Sequence, residues 1–289
     1  MTTVIGKRPS DRLHGALEKA QQTGLPVQAI GAANAMAARI AADSRFDALW
    51  VSGLEVSTAF GLPDENVLGS RDLADVVMSL RRVCDLPVVV DIDNAGGSAA
   101  TARRYAFDLT AAGAAAVCLE DSVYPKCNSF SEHRAQGLAD ADLACAQIKE
   151  IKAASAGNVL LIARTETLIC GGTLDEALHR AEAYQAAGAD AVLVHSKDTT
   201  GDQAMATAHR WNGVPLVTVP TAFPHISQAV LGEAGFAMAI YANQLSRAAM
   251  TAMRSAADSF RTTGMFRADA LADVQDLLRV ADPDALACL

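Results

Sequence analysis

The sequence predicts one closed barrel of eight parallel β-strands wrapped by α-helices, and three observations carry that expectation. Three stretches run from a helix end into an apolar strand and stop on a polar residue: 47–52, 111–120 and 186–195. Superimposed, they place Ser52, Glu120 and His195 at equivalent C-terminal strand ends, where βα barrels collect their chemistry. Eight short apolar runs alternate with helical patterns, and their apolarity is continuous, as in strands covered on both faces. The chain has 289 residues, enough for one barrel of about 250 residues with terminal extensions.

Element by element, residues 1–25 read as a tail and a helix leading in. Strand one is 26–30, followed by an Ala-rich helix over 33–43. Strand two is 47–52, then a loop over 53–68 and a helix with apolar residues at Leu73, Val76, Val77 and Leu80. Strand three is 87–91, a helix follows over 98–112, and strand four is 115–120. The longest polar connection, 121–136, precedes a helix over 138–154. Strand five is 158–164. The helix over 174–187 has Asp175 and Glu176 early and Arg180 later, the polarity that the helix dipole favours. Strands six, seven and eight are 190–195, 215–219 and 237–241, and the last barrel helix is 243–260. Two doubly wound sheets would also alternate in this way, but polar residues return at strand ends around the whole chain, which favours one ring. Residues 1–289 therefore read as a single domain, with a helical, leucine-bearing extension over 261–289 that offers a surface to a partner subunit.

Composition bounds the function. Apolar residues make up 51% of the chain, enough for a large core, and the net charge is −9. That balance argues against nucleic-acid binding, and an anionic substrate would need local cations or a metal. Six cysteines show no CxxC spacing and read as reduced thiols of a reducing cytosol. No signal-peptide pattern opens the sequence, and no apolar run reaches the ~20 residues that span a bilayer. A soluble, cytoplasmic protein without a membrane segment is the expectation.

Candidate site residues sit at strand ends and in two loops. Asp91-Ile92-Asp93 closes strand three and Glu120-Asp121 closes strand four. Adjacent strands aim both sets into one cavity, where carboxylates repel unless protonated or bridged by a cation. Hard oxygen ligands with room for water describe a Mg²⁺ site; the alternative is that these acids cap the following helices. Arg164 ends strand five and suits a carboxylate or phosphoryl group, or else pairs with Glu166 or a strand-end acid. His195, at the end of strand six, reads as a donor to substrate, or as a structural histidine. Histidines 14, 133, 179, 209 and 225 read as surface or structural. Ser52-Gly53 offers a hydroxyl and unhindered backbone N–H groups to an anion, or makes a plain turn. Asp64 follows Pro63 in the same loop, also ordinary turn chemistry. The segment 121–130 is long enough for a lid. Within it Lys126 and Asn128 alternate in an extended stretch, so both face one way and cover an anionic substrate while excluding water.

Taken together, these residues resemble the phosphoenolpyruvate mutase branch of the isocitrate lyase/phosphoenolpyruvate mutase superfamily. The likeness spans about 27–255 and rests on Ser52-Gly53-Leu54 with Asp64, Asp91-x-Asp93, Glu120-Asp121-x-x-x-Pro125-Lys126-x-Asn128-Ser129, Ile162-Ala163-Arg164-x-Glu166, His195-Ser196-Lys197 and Val219-Pro220-Thr221. The resemblance implies a barrel whose eighth helix is swapped between subunits of a homo-oligomer, a dimer or a tetramer. It implies Mg²⁺ held by Asp91, with Asp93 and Glu120 largely through water. Ser52, Gly53 and Leu54 would meet the substrate carboxylate. Lys126, Asn128, Ser129, Arg164 and His195 would hold the phosphoryl group, with Asp64 near its path. The implied reaction interconverts phosphoenolpyruvate and phosphonopyruvate, a step in phosphonate biosynthesis. Phosphonopyruvate hydrolase is the alternative; those relatives lack the Asn-Ser pair present here as Asn128-Ser129. A methylisocitrate-type C–C lyase would need Lys-x-Cys-Gly-His, and here Cys127 is out of register. Two departures stand out. Ser122 replaces a Lys after the strand-four acids, and Asn94-Ala95-Gly96-Gly97 replaces Thr-Gly-Tyr-Gly.

Overall fold

The computed structural model describes residues 8–129 and 136–280. Part of the lid segment with His133, and the last residues with Cys288, lie outside the described residues. In chain order the elements are α1 (Pro9–Thr23), β1 (Val27–Gly31), α2 (Ala35–Asp43), β2 (Ala48–Val51), α3 (Gly53–Phe60), α4 (Ser70–Arg81), β3 (Val88–Asp91), α5 (Ala99–Ala112), β4 (Ala116–Glu120), α6 (Ala141–Ser155), β5 (Leu160–Thr165), α7 (Leu174–Ala187), β6 (Ala191–Val194), α8 (Asp202–Arg210), β7 (Leu216–Thr218), α9 (Gln228–Glu233), β8 (Phe236–Tyr241), α10 (Gln244–Thr263) and α11 (Val274–Val280). The eight strands pair in sequence order, all parallel, and β8 closes on β1. The structure is the expected (β/α)8 TIM barrel.

The repeat that announced the barrel has a local cause. Gly113 and Gly188 end α5 and α7 with φ of 85° and 111°, a left-handed cap that glycine adopts without strain. Each cap drops the chain directly into the next strand. Helix starts are equally explicit: side chains of Asn34, Ser98, Asp140, Thr173 and Ser227 accept a backbone N–H of the first turn of α2, α5, α6, α7 and α9.

Strand parity divides the side chains. Ala48, Trp50, Val89, Ala116, Cys118, Ile162, Ala191 and Leu193 share the barrel interior, joined there by Leu13, Leu17 and Ala20 of α1. Val51, Val90, Val117, Leu119 and Ala163 face outward into the helix layer. Because side chains alternate with period two, the interior register carries Asp91, Glu120 and Arg164 inward at the strand tips.

One element departs from expectation. The residues after strand two do not form a loop throughout; Gly53–Phe60 is helix α3, with Ser52 as its N-cap. The Ser52-x-x-Glu55 spacing was the signal, obscured by the Gly, Ser and Thr around it.

Candidate active site

The strand tips and the lid segment meet over one cavity at the C-terminal mouth of the barrel. Its lining includes Ser52, Leu54, Asp64, Asp91, Glu120, Lys126, Asn128, Ser129, Arg164 and His195. Gly53 and Asp93 line an adjoining recess with Asp64, Asp91 and Asn66. Of the carboxylates expected inward, Asp121 does not arrive. One residue past Glu120, it has the opposite parity and lies behind the sheet. There it accepts from Thr165 Oγ1 (2.8 Å), Tyr184 Oη (2.6 Å) and Arg180 (3.1 Å), tying β4 and β5 to α7.

Arg164 sits at the centre of the charged half. Its guanidinium pairs with Glu166, lies 3.4 Å from Glu120 and 3.8 Å from Asp91, and approaches His195 Nδ1 at 2.9 Å. It is ion-paired, and it also faces the cavity. Glu166 also lies 2.7 Å from His195 Nδ1, which leaves the other imidazole nitrogen for a ligand.

The lid stem is zipped by backbone bonds from Val123 N to Gly137 O (2.9 Å) and Ala139 N to Asp121 O (2.8 Å). Beyond the stem, Lys126 and Asn128 do face one way. Lys126 Nζ pairs with Asp64 (2.9 Å) and with Asp93, while Asn128 Nδ2 donates to the other Asp64 oxygen at 2.7 Å. Ser129 Oγ donates to Glu166 at 3.1 Å. Gly53 lies against this junction: a Cβ there would sit 3.2 Å from Asp64 Oδ1, 3.4 Å from Asp93 Oδ1 and 3.5 Å from Lys126 Nζ.

A family model for phosphoenolpyruvate phosphomutase matches residues 17–261. The chain belongs to this family. As a phosphoenolpyruvate phosphomutase family member it is an enzyme of the phosphoenolpyruvate mutase/isocitrate lyase superfamily. It is 40% identical over 238 residues to a phosphoenolpyruvate phosphomutase of Streptomyces hygroscopicus, covering 81% of this chain and 76% of that one. It is 35% identical over 257 residues to a phosphonopyruvate hydrolase of Variovorax sp. (strain Pal2), covering 87% and 88%. A crystal structure of phosphonopyruvate hydrolase in complex with oxalate and Mg²⁺ superimposes with a TM-score of 0.88 at 31% identity, over 98% of both chains. Family membership therefore fixes the scaffold and the superfamily, whose members similar to this chain include an isomerase, a hydrolase and a lyase.

The electrostatics of this family member's cavity follow from enclosure. Burial pushes Glu120 up to about 8, against the pull of Arg164, and pushes Asp93 up to about 6, against Lys126. Glu166 goes the other way: burial opposes ionisation, but Arg164 and His195 hold it well below the usual carboxylate range. Burial and Arg164 lower His195. The donors at the β3 and β4 tips are all hard carboxylate oxygens. Among the described residues, no three acidic, His or Cys side chains close into a ready-made metal cage. Mg²⁺ uses one or two carboxylates and keeps several waters, so this donor set fits that ion.

Trp50 and Asn243 escaped the sequence reasoning as site residues, and Thr221 entered it only within the Val219-Pro220-Thr221 motif. Trp50, Thr221 and Asn243 line the arc away from Arg164, and Trp50 Nε1, Thr221 Oγ1 and Asn243 Oδ1 are buried without partners. Each looks like core or loop in isolation; only barrel closure brings β2, β7 and β8 to the same wall.

Proposed function

We propose that this enzyme is a phosphoenolpyruvate phosphomutase, interconverting phosphoenolpyruvate and phosphonopyruvate, and that it works as a cytoplasmic homo-oligomer in phosphonate biosynthesis. The observation that carries the reading is the lid: Asn128 and Ser129 reach across the cavity to Asp64 and Glu166. Moving phosphorus from oxygen to carbon within one molecule requires a metaphosphate-like fragment to be held while the pyruvate enolate turns. That demands positioning and charge stabilisation rather than a strong protein nucleophile. It also demands dryness, since water at the fragment gives hydrolysis.

In this reading Arg164, His195, Lys126, Asn128 and Ser129 hold the phosphoryl oxygens. The start of α3 at Ser52, Gly53 and Leu54 holds the substrate carboxylate, where backbone N–H groups and the helix dipole favour an anion. Asp91, Asp93 and Glu120 hold Mg²⁺, which when bound polarises substrate oxygens and offsets their charge. Lys126 leaves Asp64 and Asp93 for the substrate as the lid closes, and Asp64 lies beside the transfer path.

The test is phosphorus NMR of the protein incubated with phosphonopyruvate and Mg²⁺. Phosphoenolpyruvate is the expected product. Inorganic phosphate as the sole product would make the enzyme a hydrolase, and an unchanged substrate signal would reject both.

A further inference from the structure

The two places where the sequence departs from its family's pattern touch each other, and one of them, Ser122, touches Glu120. Ser122 Oγ donates to Glu120 Oε1 at 2.6 Å. The same Oγ accepts from Asn94 Nδ2 at 3.2 Å. All three side chains are buried, with relative exposures of 1% for Asn94, 2% for Ser122 and 3% for Glu120. Asn94 is fixed in turn by its backbone, whose carbonyl accepts from Gln147 Nε2 at 2.7 Å. Its own Oδ1 is left buried without a partner.

A serine hydroxyl has one proton to give. With Asn94 donating to the oxygen, that proton is directed onto Glu120 Oε1. Oε1 is thereby tied to Ser122, and Oε2 is turned to the Arg164 side of the cavity, 3.4 Å from the guanidinium. To the ionised carboxylate, the form that a bound cation selects, a hydroxyl bond at this length is short and charge-assisted. It restrains the carboxylate without adding a further positive charge to Arg164 and Lys126 beside the strand tips, as a lysine at this position would.

We propose that Asn94 and Ser122 are positioning residues, a neutral relay that orients Glu120 toward the divalent cation. This rests on the assignment of Glu120 to the metal site. Partners behind a metal-site carboxylate typically contribute 10–100-fold in affinity or activity, which sets the scale of the expected effect.

The experiment titrates Mn²⁺ into the purified protein, follows free Mn²⁺ by electron paramagnetic resonance, and competes it with Mg²⁺. Ser122→Ala should weaken both ions about tenfold, and Ser122→Thr, which keeps the hydroxyl, should restore them. Asn94→Ala should weaken them in the same direction; it probes the relay from its far end should Ser122→Ala fail to fold. In a Glu120→Gln background the further change Ser122→Ala should have no effect, the signature of action through that carboxylate. Unchanged affinity in folded Ser122→Ala or Asn94→Ala overturns the relay, as does an equal loss in the Glu120→Gln background. Wild-type protein that binds neither ion overturns the metal assignment itself and the relay with it.

Discussion

Asp91 and Glu55 show how differently two acids at the barrel mouth can behave. Asp91 faces the cavity 3.8 Å from Arg164, at the β3 tip where the proposed metal would sit. Asp91→Ala is therefore expected to abolish turnover; a rate near that of the wild type would remove Asp91 from the metal site. Glu55 lies on α3, one turn from the cavity, and takes no part in the proposed chemistry. Its Oε1 accepts from Ser246 and its Oε2 is buried without a partner. A Cβ on Gly31 would lie 2.3 Å from that same oxygen, a measure of how closely β1 covers it. Burial raises Glu55 from 4.5 to about 7. The folded chain thus holds this proton more tightly than the unfolded chain does. Its stabilising contribution is full below pH about 4.5, declines as pH rises to about 7 and is flat beyond. Glu55→Gln should remove that slope, narrowing the difference in denaturation free energy between pH 5 and pH 8 by up to about 3 kcal/mol. An unaltered slope would show that Glu55 is not the group responsible.

Among the elements, the lid segment and α3 are the ones that, in the proposed reaction, decide what reaches the phosphorus. Asn128 Nδ2 donates to Asp64 Oδ2 at 2.7 Å. Asn128→Ala should slow formation of phosphoenolpyruvate or divert part of the flux to inorganic phosphate, read by phosphorus NMR. An unaltered product and rate would discredit the lid as a barrier to water. The strand tips were legible in the sequence because parity leaves no choice: once a strand is a barrel strand, Glu120 points in and Asp121 points out. Asp121 was misplaced only because adjacency was read in place of alternation. The α3 helix was hidden by residues that favour turns. The partners of Lys126 were not legible at all, since a flexible lysine on a loop finds its carboxylates only after α3, β3 and the lid have come together.

At the level of the whole molecule, the ring order and closure followed from the sequence, while the disposition of its last helices did not. Helix α10 is strongly amphipathic, yet none of its residues is buried. Met250, Met253 and Phe260 on α10, and Leu271, Val274, Leu277 and Leu278 beyond it, are exposed. A periodic apolar stripe looks the same in sequence whether it covers its own barrel or another's. Exposed apolar surface of this kind marks an interaction face, in keeping with the exchange of this helix between subunits that the family resemblance implies. Sedimentation should show a dimer or tetramer; a fully active monomer would refute the exchange.

The root of α10 has a further consequence. Ala242 and Asn243, which launch the helix, are themselves part of the cavity wall. In the proposed homo-oligomer, the neighbour that steadies the helix also steadies that wall. Specific activity should therefore fall when the enzyme is diluted until its subunits part, and recover on reconcentration, with no change to any residue that touches the phosphoryl group.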